Sequence, residues 1–125
     1  MSDARPLYER LGGHEGILKL IQPFYTDLRQ HQQLGPIFNA QIKDWEAHLE
    51  KIADFWALQA GGASKYRGGF AGAHVGLGLH REHFGQWLGL WEFNNARWLA
   101  PREAAEMNSL AQQLAGRLLT ITRGR

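Results

Sequence analysis

The 125-residue sequence contains no cysteine. Disulfide staples, thiolate catalysis and cysteine-bound metal clusters are therefore excluded. It also lacks an excess of either charge: 14 Lys and Arg stand against 12 Asp and Glu, a formal net charge of +2. That imbalance is too weak for a nucleic-acid-binding surface. The basic residues are scattered, apart from a tail at residues 122–125 that reads as a frayed, solvated end. No apolar run approaches the ~18 residues that span a bilayer. The polar start, Met1 to Pro6, has no secretory-signal core. The expectation is a soluble, cytoplasmic protein, monomeric or weakly dimeric, with neither nucleic acid nor membrane as a partner. Serine is scarce too. Ser2, Ser64 and Ser109 are the only three, and none lies in the Gly-x-Ser-x-Gly elbow of a hydrolase. No phosphate-binding loop follows a strand-like segment, so nucleotide binding has no support.

What is present is aromatic and glycine-rich. Five tryptophans occur in 125 residues, each a large apolar body with a single N–H donor. Fifteen glycines occur, where about nine would be ordinary. Seven of them crowd into residues 61–78: Gly61, Gly62, Gly68, Gly69, Gly72, Gly76 and Gly78. The rest of the chain carries helical periodicity. A short helix fits residues 6–11, ahead of Gly12 and Gly13. From His14, the residues Ile17, Leu20, Ile21, Phe24, Tyr25 and Leu28 recur at spacings of three and four, with Pro23 expected to kink the helix. Leu34-Gly35-Pro36 closes that segment and Pro36-Ile37-Phe38 reads as a brief helical turn. A second long helix is predicted from about Ile42 to Ala60, stopped by Gly61-Gly62. A third runs from Arg81 to about Trp98, with Asn94-Asn95 as a frayed end. A last one starts at Pro101, where proline is tolerated, and carries Met107, Leu110, Leu114, Leu118 and Ile121. The prediction is one all-α domain over residues 1–125, with a glycine-rich loop and a short helix around His74 before the fourth main helix, the one from Arg81, when the short helix at residues 6–11 is counted as the first.

Polar groups on otherwise apolar faces are the places for chemistry. Tyr25, His48 and Trp87 lie on inner stripes, and His74 sits alone in the loose segment. Taken singly, each reads as a core or surface residue. The stretch His80-Arg81-Glu82-His83 does not have the spacing of the helical zinc motif His-Glu-x-x-His. As an ordered set the residues carry a resemblance. Tyr8-Glu9-Arg10-Leu11-Gly12-Gly13 and Phe24-Tyr25, then Trp45-x-x-His48, Phe55-Trp56, Tyr66-x-Gly68, His74-x-x-Leu77 and His83-Phe84-x-x-Trp87-Leu88, resemble the truncated haemoglobins, most of all their third group. The double glycines are more usual in the first two groups.

The resemblance implies a truncated globin two-over-two helical sandwich and a bound haem b. It implies His74 as the proximal iron ligand, since its spacing to Trp87 favours it over His80. Tyr25, His48 and Trp87 become distal groups facing a bound diatomic ligand. Phe38 becomes the phenylalanine on the porphyrin face, with Ile52 and Phe84 as further pocket walls. Lys51, Tyr66 and Arg67 become contacts to the propionates. The implied function is reversible binding of dioxygen, nitric oxide or other diatomics. Nitric oxide dioxygenase or peroxidase-like turnover with an external reductase is a further possibility. The alternative is a haem-free globin-like sensor or interaction domain, in which His74 is an ordinary histidine. On the leading reading, His74→Ala abolishes the native iron coordination, which the absorption spectrum of the haem-loaded protein checks. An unchanged spectrum would remove the assignment.

Overall fold

The computed structural model describes residues 4–62 and 81–123, with backbone alone at residues 81 and 118–123. Six helices make up the described residues: α1 (Leu7–Arg10), α2 (Gly13–Gln30), α3 (Leu34–Gln41), α4 (Trp45–Gln59), α5 (Arg81–Trp98) and α6 (Pro101–Arg123). No strand occurs among them. Tyr66, Arg67, Phe70 and His74, and the short helix expected around His74, lie outside the described residues.

The periodic stripe of α2 is its buried face: Ile17, Leu20, Ile21, Phe24, Tyr25 and Leu28 are all shielded from water. The helix continues through Pro23 to Gln30. This one face meets two partners, because α2 packs against both α4 and α5, while α5 packs against α6. Two helix pairs, α2 with α4 and α5 with α6, therefore stack into a two-over-two sandwich. The short α3 bridges α2 and α5, and α1 rests on α2 and α6. Arg10 closes that last contact by ion pairs to Glu103 and, at 2.8 Å, to Glu106.

Helix boundaries follow local hydrogen bonding, and three of them differ from the sequence expectation. The second long helix starts at Trp45 rather than near Ile42. The Asp44 carboxylate accepts from the Ala47 N–H at 3.1 Å, while Ile42 is extended. An N-cap of this type satisfies a donor that the first helical turn cannot. The turn at Pro36 is a full helix of eight residues. Its start is secured by His31, whose Nδ1 accepts from the N–H groups of Gln33 and Leu34 at 3.2 and 3.1 Å. The chain tail is not frayed from residue 122, since α6 continues through Arg123.

The end of α4 does follow the expectation. Gly61 has φ +89°, its N–H donates to the Leu58 carbonyl, and the Gly62 N–H donates to the Ala57 carbonyl. This 5→2 and 6→1 pair is the Schellman stop, which favours glycine at the left-handed position. Gly62 in turn has no room for a side chain: a Cβ would sit 2.3 Å from the Tyr8 ring.

The largest correction concerns Asn94 and Asn95. They are not a frayed end; they are 2% and 0% exposed, inside a helix that runs on to Trp98. Asn94 Nδ2 donates to the Leu20 carbonyl at 3.0 Å, one turn before Pro23 on α2. Asn95 Nδ2 donates to Asn108 Oδ1 on α6 at 2.8 Å. The pair thus ties α5 to its neighbours on both sides. Buried amides are tolerated because their donors are used. Asn94→Ala is expected to lower unfolding free energy by about 1–3 kcal/mol, the cost of a lost buried hydrogen bond. Asp44→Ala is expected to lower it by about 1 kcal/mol, the loss of an exposed cap. Chemical denaturation measures both, and equal stability of Asn94→Ala and the parent would refute the tie.

Candidate functional site

The site is built on the junction of α2, α4 and α5. Phe24 is its centre, fully buried, with ring centroids of Tyr25, Trp87 and Trp91 at 4.8, 5.2 and 4.9 Å. All three contacts are edge-to-face, with interplanar angles of 86°, 76° and 87°. Such geometry sets positive ring edges against negative ring faces. Behind this layer Trp91 is stacked between Trp56 and Trp87.

Tyr25 projects from α2 toward α4. It is 4% exposed and touches Trp45 and His48, whose ring centroids lie 5.9 and 6.2 Å away. Trp45 and His48 are themselves 5.6 Å apart. The spacing of three residues on α4 puts them on one face. Both are half-buried. Trp87, half-buried on α5, reaches the same layer through Phe24. The structure therefore brings Tyr25, His48 and Trp87 to one junction from three helices.

Burial pushes the Tyr25 phenol well above its ordinary range. The cause is desolvation, which penalises the charged phenolate. Tyr25 is thus a neutral O–H donor in an apolar layer. The layer offers an incoming molecule one hydroxyl donor, one indole donor and one imidazole. A donor set of this kind suits a small ligand carrying partial negative charge, because hydrogen bonds to it gain strength where water is excluded.

The other expected residues separate cleanly. Phe38 on α3, Ile52 on α4 and Phe84 on α5 are buried, at 3%, 9% and 6% exposure. Lys51 is exposed on α4, one turn along from His48. Among the described residues, no group of three His, Asp or Glu side chains could hold a metal ion. Two features escaped sequence reasoning. The Arg29 guanidinium lies 4.7 Å above the Trp45 ring, at the margin of the site. Its position four residues after Tyr25 on the same helix was the available signal. Asn94, which fixes α2 against α5, had no signal beyond its polar type.

A sequence profile of the bacterial-like globin family matches residues 6–114. The group 3 truncated hemoglobin of Campylobacter jejuni is 39% identical over 83 residues, covering 62% of this chain and 65% of its own length. The group 1 truncated hemoglobin of Mycolicibacterium paratuberculosis is 30% identical over 80 residues, covering 63% of this chain and 57% of its own length. The chain thus spans less than two thirds of either protein. The crystal structure of the group III truncated hemoglobin of Campylobacter jejuni superimposes with a TM-score of 0.83 at 31% identity, covering 88% of this chain and 91% of that one. The 2/2 hemoglobin of Synechococcus sp. shares the fold, with a TM-score of 0.81 at 20% identity and coverage of 93% and 99%.

The buried phenol predicts a pH dependence. The unfolded chain loses the Tyr25 proton near pH ~10, the ordinary phenol value, whereas the folded chain keeps it. Above that pH the unfolded state binds fewer protons, so stability falls as pH rises. Denaturation midpoints of Tyr25→Phe are expected to decline less between neutral and strongly alkaline pH than those of the parent. Parallel declines would show that Tyr25 is not held neutral.

Proposed function

Since the chain belongs to the bacterial-like globin family, we propose that it binds haem b and uses it to hold dioxygen, nitric oxide or another small diatomic ligand. The observation that carries this reading is the aromatic layer itself. It presents a neutral Tyr25 phenol, 4% exposed, and the half-buried Trp87 indole, beside His48. A hydroxyl and an indole N–H set among rings bond most strongly to an acceptor that carries partial negative charge. A ligand with a partly negative end supplies that acceptor, and the chemistry of the donor set fits the group that the family binds.

In this reading His74 would hold the iron. Phe38, Ile52 and Phe84 wall the porphyrin, and Lys51, Tyr66 and Arg67 meet its propionates. When bound, haem would supply an iron able to take an exogenous diatomic ligand. The chain's own residues do the rest. Phe24, Phe38 and Trp91 exclude water. Tyr25 holds its proton at Oη and Trp87 at Nε1, each able to donate to negative charge on the ligand. His48, half-buried next to Tyr25, adds a third polar group at the layer's margin. Each hydrogen bond to a charged acceptor is worth about 1.5–3 kcal/mol, or roughly ten- to a hundredfold in ligand release. Two of them suit retention and chemistry rather than bulk transport. Turnover of nitric oxide or peroxide, sustained by an external reductase, is the activity this donor set suits, and a cytoplasmic protein is the setting in which such a reductase is at hand.

Expression with ample haem is expected to give a purified protein with a Soret band; its absence would overturn the reading. In stopped-flow measurements, Tyr25→Phe combined with Trp87→Phe is expected to speed dioxygen release at least about tenfold. An unchanged rate would refute the donor roles while leaving haem binding intact.

A further inference from the structure

Of the five tryptophans, only Trp87 belongs to the proposed donor set. The five fall into two kinds. Trp56 and Trp91 are stacked at 4.8 Å and 14°, and Trp91 and Trp87 at 5.5 Å and 18°, so three near-parallel indoles form one column. Trp45 and Trp98 instead each carry a guanidinium on the ring: Arg29 at 4.7 Å over Trp45 and Arg97 at 5.2 Å over Trp98. We propose that the column Trp56–Trp91–Trp87 is a one-electron donor built into the core, which yields an electron to an oxidant arriving at Trp87, with hydrogen peroxide as the class of oxidant suited to the site.

Four observations carry this. A positive charge left on an indole is shared with the near-parallel rings beside it in the column, which lowers the penalty of holding it away from water. The two tryptophans outside the column face the opposite situation, because a nearby cation repels a second positive charge. Trp91 Nε1 donates to the Met107 carbonyl at 3.2 Å in the buried core. That bond strengthens when the ring becomes positive, and a carbonyl is too weak a base to remove the proton. Lastly, Asn95 Oδ1 is buried without a hydrogen-bond partner among the described residues. Asn95 lies one turn after Trp91 on the same face of α5. An unpaired oxygen is a loss in the resting protein, and it is an attraction for a positive charge in the next turn.

The step balances without breaking a bond in the protein. The column loses one electron, Trp91 keeps its N–H, and the charge stays on the rings. At the site, hydrogen peroxide takes two electrons and two protons to become two waters. Both electrons pass through the column one at a time, each replaced by a molecule of a small one-electron reductant such as ascorbate, and the two protons come from solvent. The peroxide half rests on the haem reading above; oxidation of the column does not.

Azide radicals made by pulse radiolysis remove single electrons from indoles with no cofactor involved. In the full chain, measured before and after haem loading, we expect the near-infrared band of a charge shared between stacked rings. Trp91→Phe is expected to abolish it, and Trp45→Phe and Trp98→Phe to leave it. Because Trp91→Phe hollows the core, Arg29→Met with Arg97→Met provides a second, surface test. Loss of the two cations is expected to spread oxidation onto Trp45 and Trp98, seen by peptide mass mapping. The inference is overturned by absence of the band in the parent, by its survival in Trp91→Phe, or by a map unchanged in the arginine variants. A missing Soret band overturns the haem reading alone, and the radiolysis then decides the column by itself.

Discussion

Contact between Phe24 and Trp91 joins the two halves of this sandwich. Phe24 lies on the face of α2 that must serve both α4 and α5, and Trp91 fills the volume between them. Each is 0% exposed. Burying a large side chain contributes about 1.5–3 kcal/mol, and truncating one to alanine removes about 3–5 kcal/mol. A domain of this kind is stable by only about 5–15 kcal/mol. Two residues therefore command a sizeable share of the whole, and the remaining helices pack where these rings allow.

Filling a core with indoles and amides brings polar atoms into it. The fold answers most of them with backbone carbonyls from neighbouring helices. Trp91 donates to Met107 on α6, and Asn94 donates to Leu20 on α2. These bonds have direction, as the edge-to-face ring contacts also do. They set how α5 lies against α2 and α6, and so they set where Trp87 stands relative to Tyr25. Core polarity and site geometry are thus one problem with one solution.

The same aromatic layer gives the site its electrostatic character. Water is kept from Tyr25, so the phenol stays neutral and its O–H remains available as a donor. Charged groups are held at the margin: Arg29 over Trp45, and His14 between Glu50 and Asp54 at 3.1 and 3.6 Å on the outer side of α2 and α4. A centre made of neutral donors among rings presents partial charge rather than net charge.

Much of this was legible in the residues alone. The stripe Ile17-Leu20-Ile21-Phe24-Tyr25-Leu28 could bury itself only as a helix, because its period is that of a helix. Gly61-Gly62 had to end α4, because the stop needs a left-handed residue and then one that clears Tyr8. The ordered aromatic and histidine positions marked Tyr25, His48 and Trp87 as a set and pointed to the globin family. Other features were decided in three dimensions. Asn94 and Asn95 look like surface residues in one dimension, since a buried amide is recognised only by the carbonyl or carboxamide that a distant helix brings to it. The triple stack is likewise invisible in sequence: Trp87 and Trp91 are one turn apart on α5, but Trp56 comes from α4, 35 positions before Trp91. Periodicity determines which face of a helix turns inward. Which partner that face finds, and at what angle, depends on packing between segments far apart in the chain, and only the tertiary structure decided it.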